Sequence, residues 1–350
     1  MNRGRPADAD AGAAPAAPAV PAGPPACTDA ERRAARAFAA ELRALGRPTR
    51  TETLWVRPAW AAVLAVCAAA GVAGSVVSVD HAATGLVLAG AAFVLALAEL
   101  GPWPLLRRLT FARATQNVVS EPPPGRAAPV TLVVVAPVDG PRGGVAQRAG
   151  VPIRALTTGA LGLLAACTAA RVGLDASGTL IGALQLVPTA VLVLAVGALA
   201  DAAVAPPASA PGGDQPAEIA VAAARMLDGV RFERVAVEVV LAGAWPLGFR
   251  AWLGRDRRRP EDVAVAFVGS AAATRYATAH PTFRAVAEDA RLAERRGRPP
   301  RAGRRPAIAV AGGARDVGAF LVALASGLDA ALARGPAQPA SSERFAKSAK

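Results

Sequence analysis

Histidine and cysteine are nearly missing: two His and three Cys stand among 350 residues. His81 and His280 lie far apart in the chain, so no Cys/His zinc cluster of familiar spacing can form. The cysteines are too few and scattered for a disulfide framework; Cys67 and Cys167 lie in apolar runs and read as small buried hydrophobes. Aromatics make up only 4%. They are absent from two arginine clusters, Arg255, Arg257, Arg258 and Arg259, and Arg295, Arg296, Arg298, Arg301, Arg304 and Arg305. That argues against base stacking, and no nucleic-acid partner is expected. Charged residues are 19% against 53% hydrophobic, a balance that excludes a disordered chain. Ser270 has neither a Gly-x-Ser-x-Gly elbow nor a histidine beside it, which excludes a serine nucleophile.

What is abundant is Ala, Arg and uncharged sequence. The net charge of +13 comes almost wholly from Arg and calls for anionic surroundings. No charge occurs over residues 58–79 or 82–98. A span needs about 20 apolar residues, so the first run suffices and the second borrows residues 99–106 as its interfacial end. Residues 155–170 and 176–200, the latter containing Pro188, form a second pair. Trp55, Trp60 and Trp103 stand near the boundaries, as interfacial aromatics do. These features predict four spans in two hairpins, turning at Asp80-His81 and at residues 173–175. Buried helices of a soluble protein are the alternative. Gly71, Gly74, Gly85 and Gly90 permit close helix contact. Arg57, Arg107, Arg108, Arg113 and Arg154 flank one side against Arg171 on the other, which puts the soluble parts on the cytoplasmic face of the plasma membrane. The lipid bilayer and its anionic head groups are the expected partners; the sequence names no protein partner.

The expected organisation is a disordered tail (1–27), the opening of a folded domain (28–54), hairpin one (55–106), a central-strand segment (107–150), hairpin two (151–204), the C-terminal part of the domain (205–335) and a second disordered tail (336–350). Thr28 and Glu31 fit a capping box opening a helix that Gly46 ends. Continuous β-branched runs at 130–136 and 235–241, with weaker ones at 263–268 and 307–310, alternate with helices at 217–228 and 315–334. The fold class is therefore α/β, a mixed, mostly parallel sheet flanked by helices and interrupted by the two hairpins. Ligands of such sheets bind where the parallel strands end.

At those ends stand Pro137-Val138-Asp139-Gly140, then Pro211-Gly212-Gly213-Asp214 before a helix, then Gly243-Ala244-Trp245-Pro246. Their order and spacing resemble the co-catalytic zinc aminopeptidases, the metallopeptidases that include the bacterial leucyl aminopeptidases and glutamate carboxypeptidase. That family has His-x-Asp after its first such strand, Gly-x-x-Asp-Asn-x-Ser-Gly opening the next helix, and Gly-Ala-Glu-Glu-x-x-Gly after the following strand. The resemblance extends to residues 38–50, to Gln116-Asn117-Val118-Val119 and to residues 265–269. It implies a zinc-peptidase-like sheet. It also sets Pro137 in the place of a ligand His, Trp245 and Pro246 in the places of the general-base Glu and a ligand Glu, and Ala266 in that of a ligand Asp. Asp139 and Asp214 are the vestiges, and the last His ligand has no counterpart.

One carboxylate cannot hold a zinc pair, and neither Trp245 nor Pro246 can accept a proton. The expectation is a pseudoenzyme without catalytic residues or cofactor, acting as a binding or scaffold module. Two alternatives stay open: a working hydrolase with one metal at Asp139 and Asp214, and a small transporter or channel subunit, which the scarcity of charge inside the spans disfavours. Trp245 either fills the vacated pocket or stacks on a ligand.

Overall fold

The computed structural model describes residues 23–101, 104–140, 143–173, 179–208, 214–295 and 298–333. Trp103, Arg296, residues 211–213, most of the second hairpin turn, most of the N-terminal tail and all of the C-terminal tail lie outside the described residues. Residues 23–27, assigned to the tail from sequence, run beside the end of the third strand, where the Gly140 amide donates to the Pro24 carbonyl at 3.0 Å.

Thr28 caps α1 (Asp29–Ala44), its hydroxyl accepting from the Glu31 amide at 3.3 Å. The reciprocal half of the expected box is not made. The buried Glu31 carboxylate instead accepts from the Cys27 amide and from the hydroxyl of Thr115, which lies buried beside it. Gly46 takes φ 77° and turns the chain into β1 (Thr49–Val56). Then follow α2 (Trp60–Val77), α3 (Ala82–Leu100), β2 (Arg113–Ser120), β3 (Val130–Pro137), the short α4 (Val145–Arg148), α5 (Ile153–Gly173), α6 (Thr179–Val204), α7 (Pro216–Asp228), β4 (Val235–Ala242), α8 (Leu247–Arg255), β5 (Val263–Gly269), β6 (Arg275–Thr278), α9 (Pro281–Asp289), β7 (Ala293–Glu294), β8 (Ala307–Ala311) and α10 (Ala314–Ala333).

The strands form one eight-stranded mixed sheet in the order β1-β2-β4-β3-β5-β8-β6-β7. β4, β3, β5 and β8 are parallel neighbours, while β2 and β6 run against them. Both faces of the centre are covered, which is why β3 and β4 read as unbroken apolar runs. Leu132, Val134, Val237 and Val239 pack with α1, α7 and α10; Val133, Val135 and Val240 pack with Phe249 and Trp252 of α8.

The connections have a directional consequence. β1 and β4 are both antiparallel to β2, so β1 ends at the same edge of the sheet as β4. α2 follows the end of β1, β2 begins after α3, and α5 follows the end of β3. Both helical hairpins therefore leave the sheet from the edge at which the parallel strands end.

α2 packs on α3 and α6, and α5 packs on the same two, giving a four-helix bundle. α5 is longer than its uncharged stretch, 21 residues, because the helix continues through Arg154 and Arg171. The Arg154 guanidinium lies 3.9 Å from the Trp60 ring centroid and ties the first turns of α5 and α2. Glycine permits the tightest approach: a Cβ on Gly85 would stand 2.5 Å from the Ser78 Cα, and one on Gly74 would stand 2.9 Å from the Ala89 nitrogen. Gly90, expected to serve the same purpose, has open space around it.

Near the hairpin turns the Gln185 side chain donates to the Ser75 and Ser78 hydroxyls at 2.9 and 2.7 Å, and Ser75 Oγ lies 2.7 Å from Thr189 Oγ1. At the other end Glu99 accepts from Arg107 Nε at 2.7 Å and from the Leu106 amide at 2.6 Å. Among the described residues five helices are long and apolar enough to cross a membrane, these four and α10. α10 lays Val317, Phe320, Leu321 and Leu324 into the core it shares with the sheet and α7.

Candidate functional site

β3 ends at Pro137, β4 at Ala242, β5 at Gly269 and β8 at Ala311, side by side. A cleft of about 620 Å³ lies there, with Pro137, Trp245, Phe267 and Val310 among its apolar lining and Arg275, Arg295 and Arg298 on its rim.

Pro137 offers no side-chain donor atom. Asp139 is 5% exposed, and its carboxylate accepts the Trp245 amide at 3.0 Å. Asp214 stands exposed in the bend before α7. Pro246 caps α8, and the Trp245-Pro246 peptide is cis. Ala266, matched to a ligand position from sequence, is fully buried inside β5 on the face covered by α7, away from the cleft lining. His280 is the N-cap residue of α9, with its ring 4.8 Å from that of Phe283; burial lowers its pKa, and among the described residues Nδ1 has no hydrogen-bond partner.

Among the described residues, no three His, Cys, Asp or Glu side chains are grouped so as to hold a metal ion. Among the described residues, the lining of the strand-end cleft includes no His, Cys, Asp or Glu side chain that could ligate zinc.

Trp245 takes part in an aromatic layer instead. Its ring centroid lies 5.8 Å from Phe249 and 5.9 Å from Phe267, and Phe249 stacks on Trp252 at 5.7 Å. In a chain with five Trp and nine Phe, two of each meet here. Packing and cleft lining are thus combined in one side chain.

The loop carrying Trp245 is held from below by Asn117, which is fully buried in β2. Its amide nitrogen donates to the Gly248 carbonyl at 2.8 Å, and its carbonyl accepts the Gly243 amide at 3.1 Å. A Cβ on Gly243 would press on Glu31, Thr115 and the Gln116 carbonyl, so only glycine fits. Ala244 takes φ 45°, a left-handed conformation uncommon for alanine.

A second cleft of about 660 Å³, missed at the level of sequence, holds charges of both signs, including Arg50, Glu52, Glu238, Asp256 and Arg258. Arg258 donates to Glu238 at 2.7 Å and to Asp256 at 2.9 Å, and Arg305 reaches Asp256 at 3.2 Å. Arg258 and Arg305 are therefore drawn in by Glu238 and Asp256 rather than left on a solvated basic surface. Burial is the largest influence on Glu238 and raises its pKa despite Arg258. For Asp256, burial works upward but is outweighed by the Arg258 hydrogen bonds and the charges of Arg258 and Arg305, so its pKa falls. The readable signal was Glu238 itself: an acid inside a β-branched run needs a buried partner.

No protein-family model and no curated protein sequence matches the chain. Among solved structures it is similar to the glutaminyl cyclase of Porphyromonas gingivalis, at 11% identity and a TM-score of 0.41 over 89% of this chain and 93% of that one. It is also similar to a zinc aminopeptidase from Bacillus subtilis, at 10% identity and a TM-score of 0.45 over 87% and 90%.

Proposed function

We propose that this chain is a membrane-anchored protein with a zinc-peptidase-like sheet that has lost its metal ligands and general base and works as a binding or scaffold module. One observation carries the reading. Where the parallel strands end, Pro137, Trp245 and Pro246 supply no ligand or base, and the remaining carboxylate, Asp139, accepts the Trp245 amide.

The anchor in this reading is the bundle of α2, α3, α5 and α6. Beside its ends Trp55, Leu109 and Phe111 are 74%, 84% and 92% exposed, which suits the boundary between lipid and water. Arg57, Arg108 and Arg113 lie in the same stretches, and the positive-inside bias favours the cytoplasmic face of the plasma membrane. The polar groups of the bundle, Gln185, Ser75, Ser78 and Thr189, bond to one another, which supports anchoring rather than conduction.

The test is hydrolysis of aminoacyl anilides by the detergent-purified chain with and without added zinc, alongside Pro137→His. No zinc-dependent turnover is expected from either protein. Turnover that zinc restores would overturn the reading.

A further inference from the structure

Resting on that reading, we infer that the strand-end cleft binds the phosphate head group of an anionic glycerophospholipid. Both hairpins leave the sheet from the edge where β3, β4, β5 and β8 end, so a bilayer crossed by the bundle lies on the side of the molecule that carries this cleft. A site on that side meets head groups before it meets cytosolic solutes.

The chemistry of the lining agrees. Among the described residues, Arg275, Arg295 and Arg298 border the cleft and no carboxylate does, and all three arginines are exposed. Other arginines of the same half of the chain do have acids: Arg258 and Arg305 have Asp256, and Arg284 has Glu294 at 3.8 Å. Among the described residues none pairs with Arg275, Arg295 or Arg298. Guanidinium forks suit phosphate oxygens. Beneath them Pro137, Trp245 and Phe267 offer an apolar floor for the glycerol backbone and the start of an acyl chain. The residues that displaced the metal ligands thereby form the apolar half of an amphiphile site.

The experiment measures binding of fluorescent short-chain phosphatidylglycerol to the detergent-purified full chain in the presence of a chelator, with short-chain phosphatidylcholine, inorganic phosphate and an oligoglutamate peptide as competitors. Phosphatidylglycerol is expected to bind, with phosphatidylcholine and inorganic phosphate competing at least about tenfold more weakly. Replacing Arg275, Arg295 and Arg298 together by Gln is expected to weaken binding by about a hundredfold, at roughly fivefold per arginine near a lipid surface. The charge-matched control, Arg33→Gln with Arg225→Gln and Arg231→Gln, is expected to leave binding unchanged.

Equal loss in the control, unchanged binding in the cleft variant, competition by inorganic phosphate at equal concentration, or tighter binding of the peptide would each overturn the inference. Because chelator is present throughout, such a failure leaves the metal-free reading standing. Zinc found in the purified chain would overturn that reading without touching the lipid measurement.

Discussion

The carboxylate of Asp139 accepts the backbone amide of Trp245 at 3.0 Å, joining the end of β3 to the loop after β4. Asp139 thus helps to hold the loop that carries Trp245, an aromatic that lines the strand-end cleft. Asp139→Asn keeps an acceptor and is expected to cost under about 1 kcal/mol, whereas Asp139→Ala removes the acceptor of this hydrogen bond and is expected to cost about 2 kcal/mol. Thermal unfolding in detergent measures the difference. Equal losses in both variants would show that the negative charge, and not the hydrogen bond, is what matters there.

Arg258 and Glu238 make a second test. The Glu238 side chain is 8% exposed and that of Arg258 35%. Arg258→Ala strands a buried acid and is expected to cost about 2 to 3 kcal/mol, less than a fully buried pair because of solvent screening. Glu238→Gln removes the charge but keeps the shape and is expected to be within about 1 kcal/mol of the parent. The pKa of Glu238 is raised in the folded chain, so its contribution to stability is present at acid pH and lost as pH rises through the folded value. The gap between Glu238→Gln and the parent should therefore favour the variant more at pH 7 than at pH 4. A gap that does not change with pH would contradict this.

His280 has the opposite sign. Burial depresses its pKa below the ordinary 6.5. The neutral imidazole is favoured in the folded chain, so its contribution is present above the unfolded pKa and declines as pH falls below about 6.5. The parent should lose more stability than His280→Gln between pH 7.5 and pH 5.5. Parallel loss in both would contradict the assignment.

Within the bundle, Gly85 and Gly90 separate packing from helix propensity. Gly85→Ala drives a methyl group into Ser78 and is expected to destabilise the bundle by about 1 to 3 kcal/mol. Gly90→Ala meets nothing and is expected to be neutral or stabilising by up to about 1 kcal/mol. Unfolding in detergent distinguishes the two.

Much of this was legible in the sequence because burial writes itself into pattern. The β-branched runs became β3, β4, β5 and β8, and the uncharged runs became α2, α3, α5 and α6. Short β6 and β7 were not legible: four and two residues are too few to show a period. Nor could spacing reveal that Glu31 serves Thr115, or that Arg258 and Arg305 converge on Asp256, since those pairs form only when distant segments meet. Pro137, Asp139 and Trp245, singled out from the sequence, stand together at the strand ends, whereas inside β5 lies Ala266. Its place on the covered face of β5 depends on where that strand stops, and one residue of register reverses the face.

The most direct measurement is the zinc content of the detergent-purified chain, by elemental analysis after dialysis against a weak chelator. Near-zero zinc per chain is the result expected of a strand-end site built from Pro137, Trp245 and Pro246. One or two zinc ions per chain would contradict it and make peptide hydrolysis the activity to pursue.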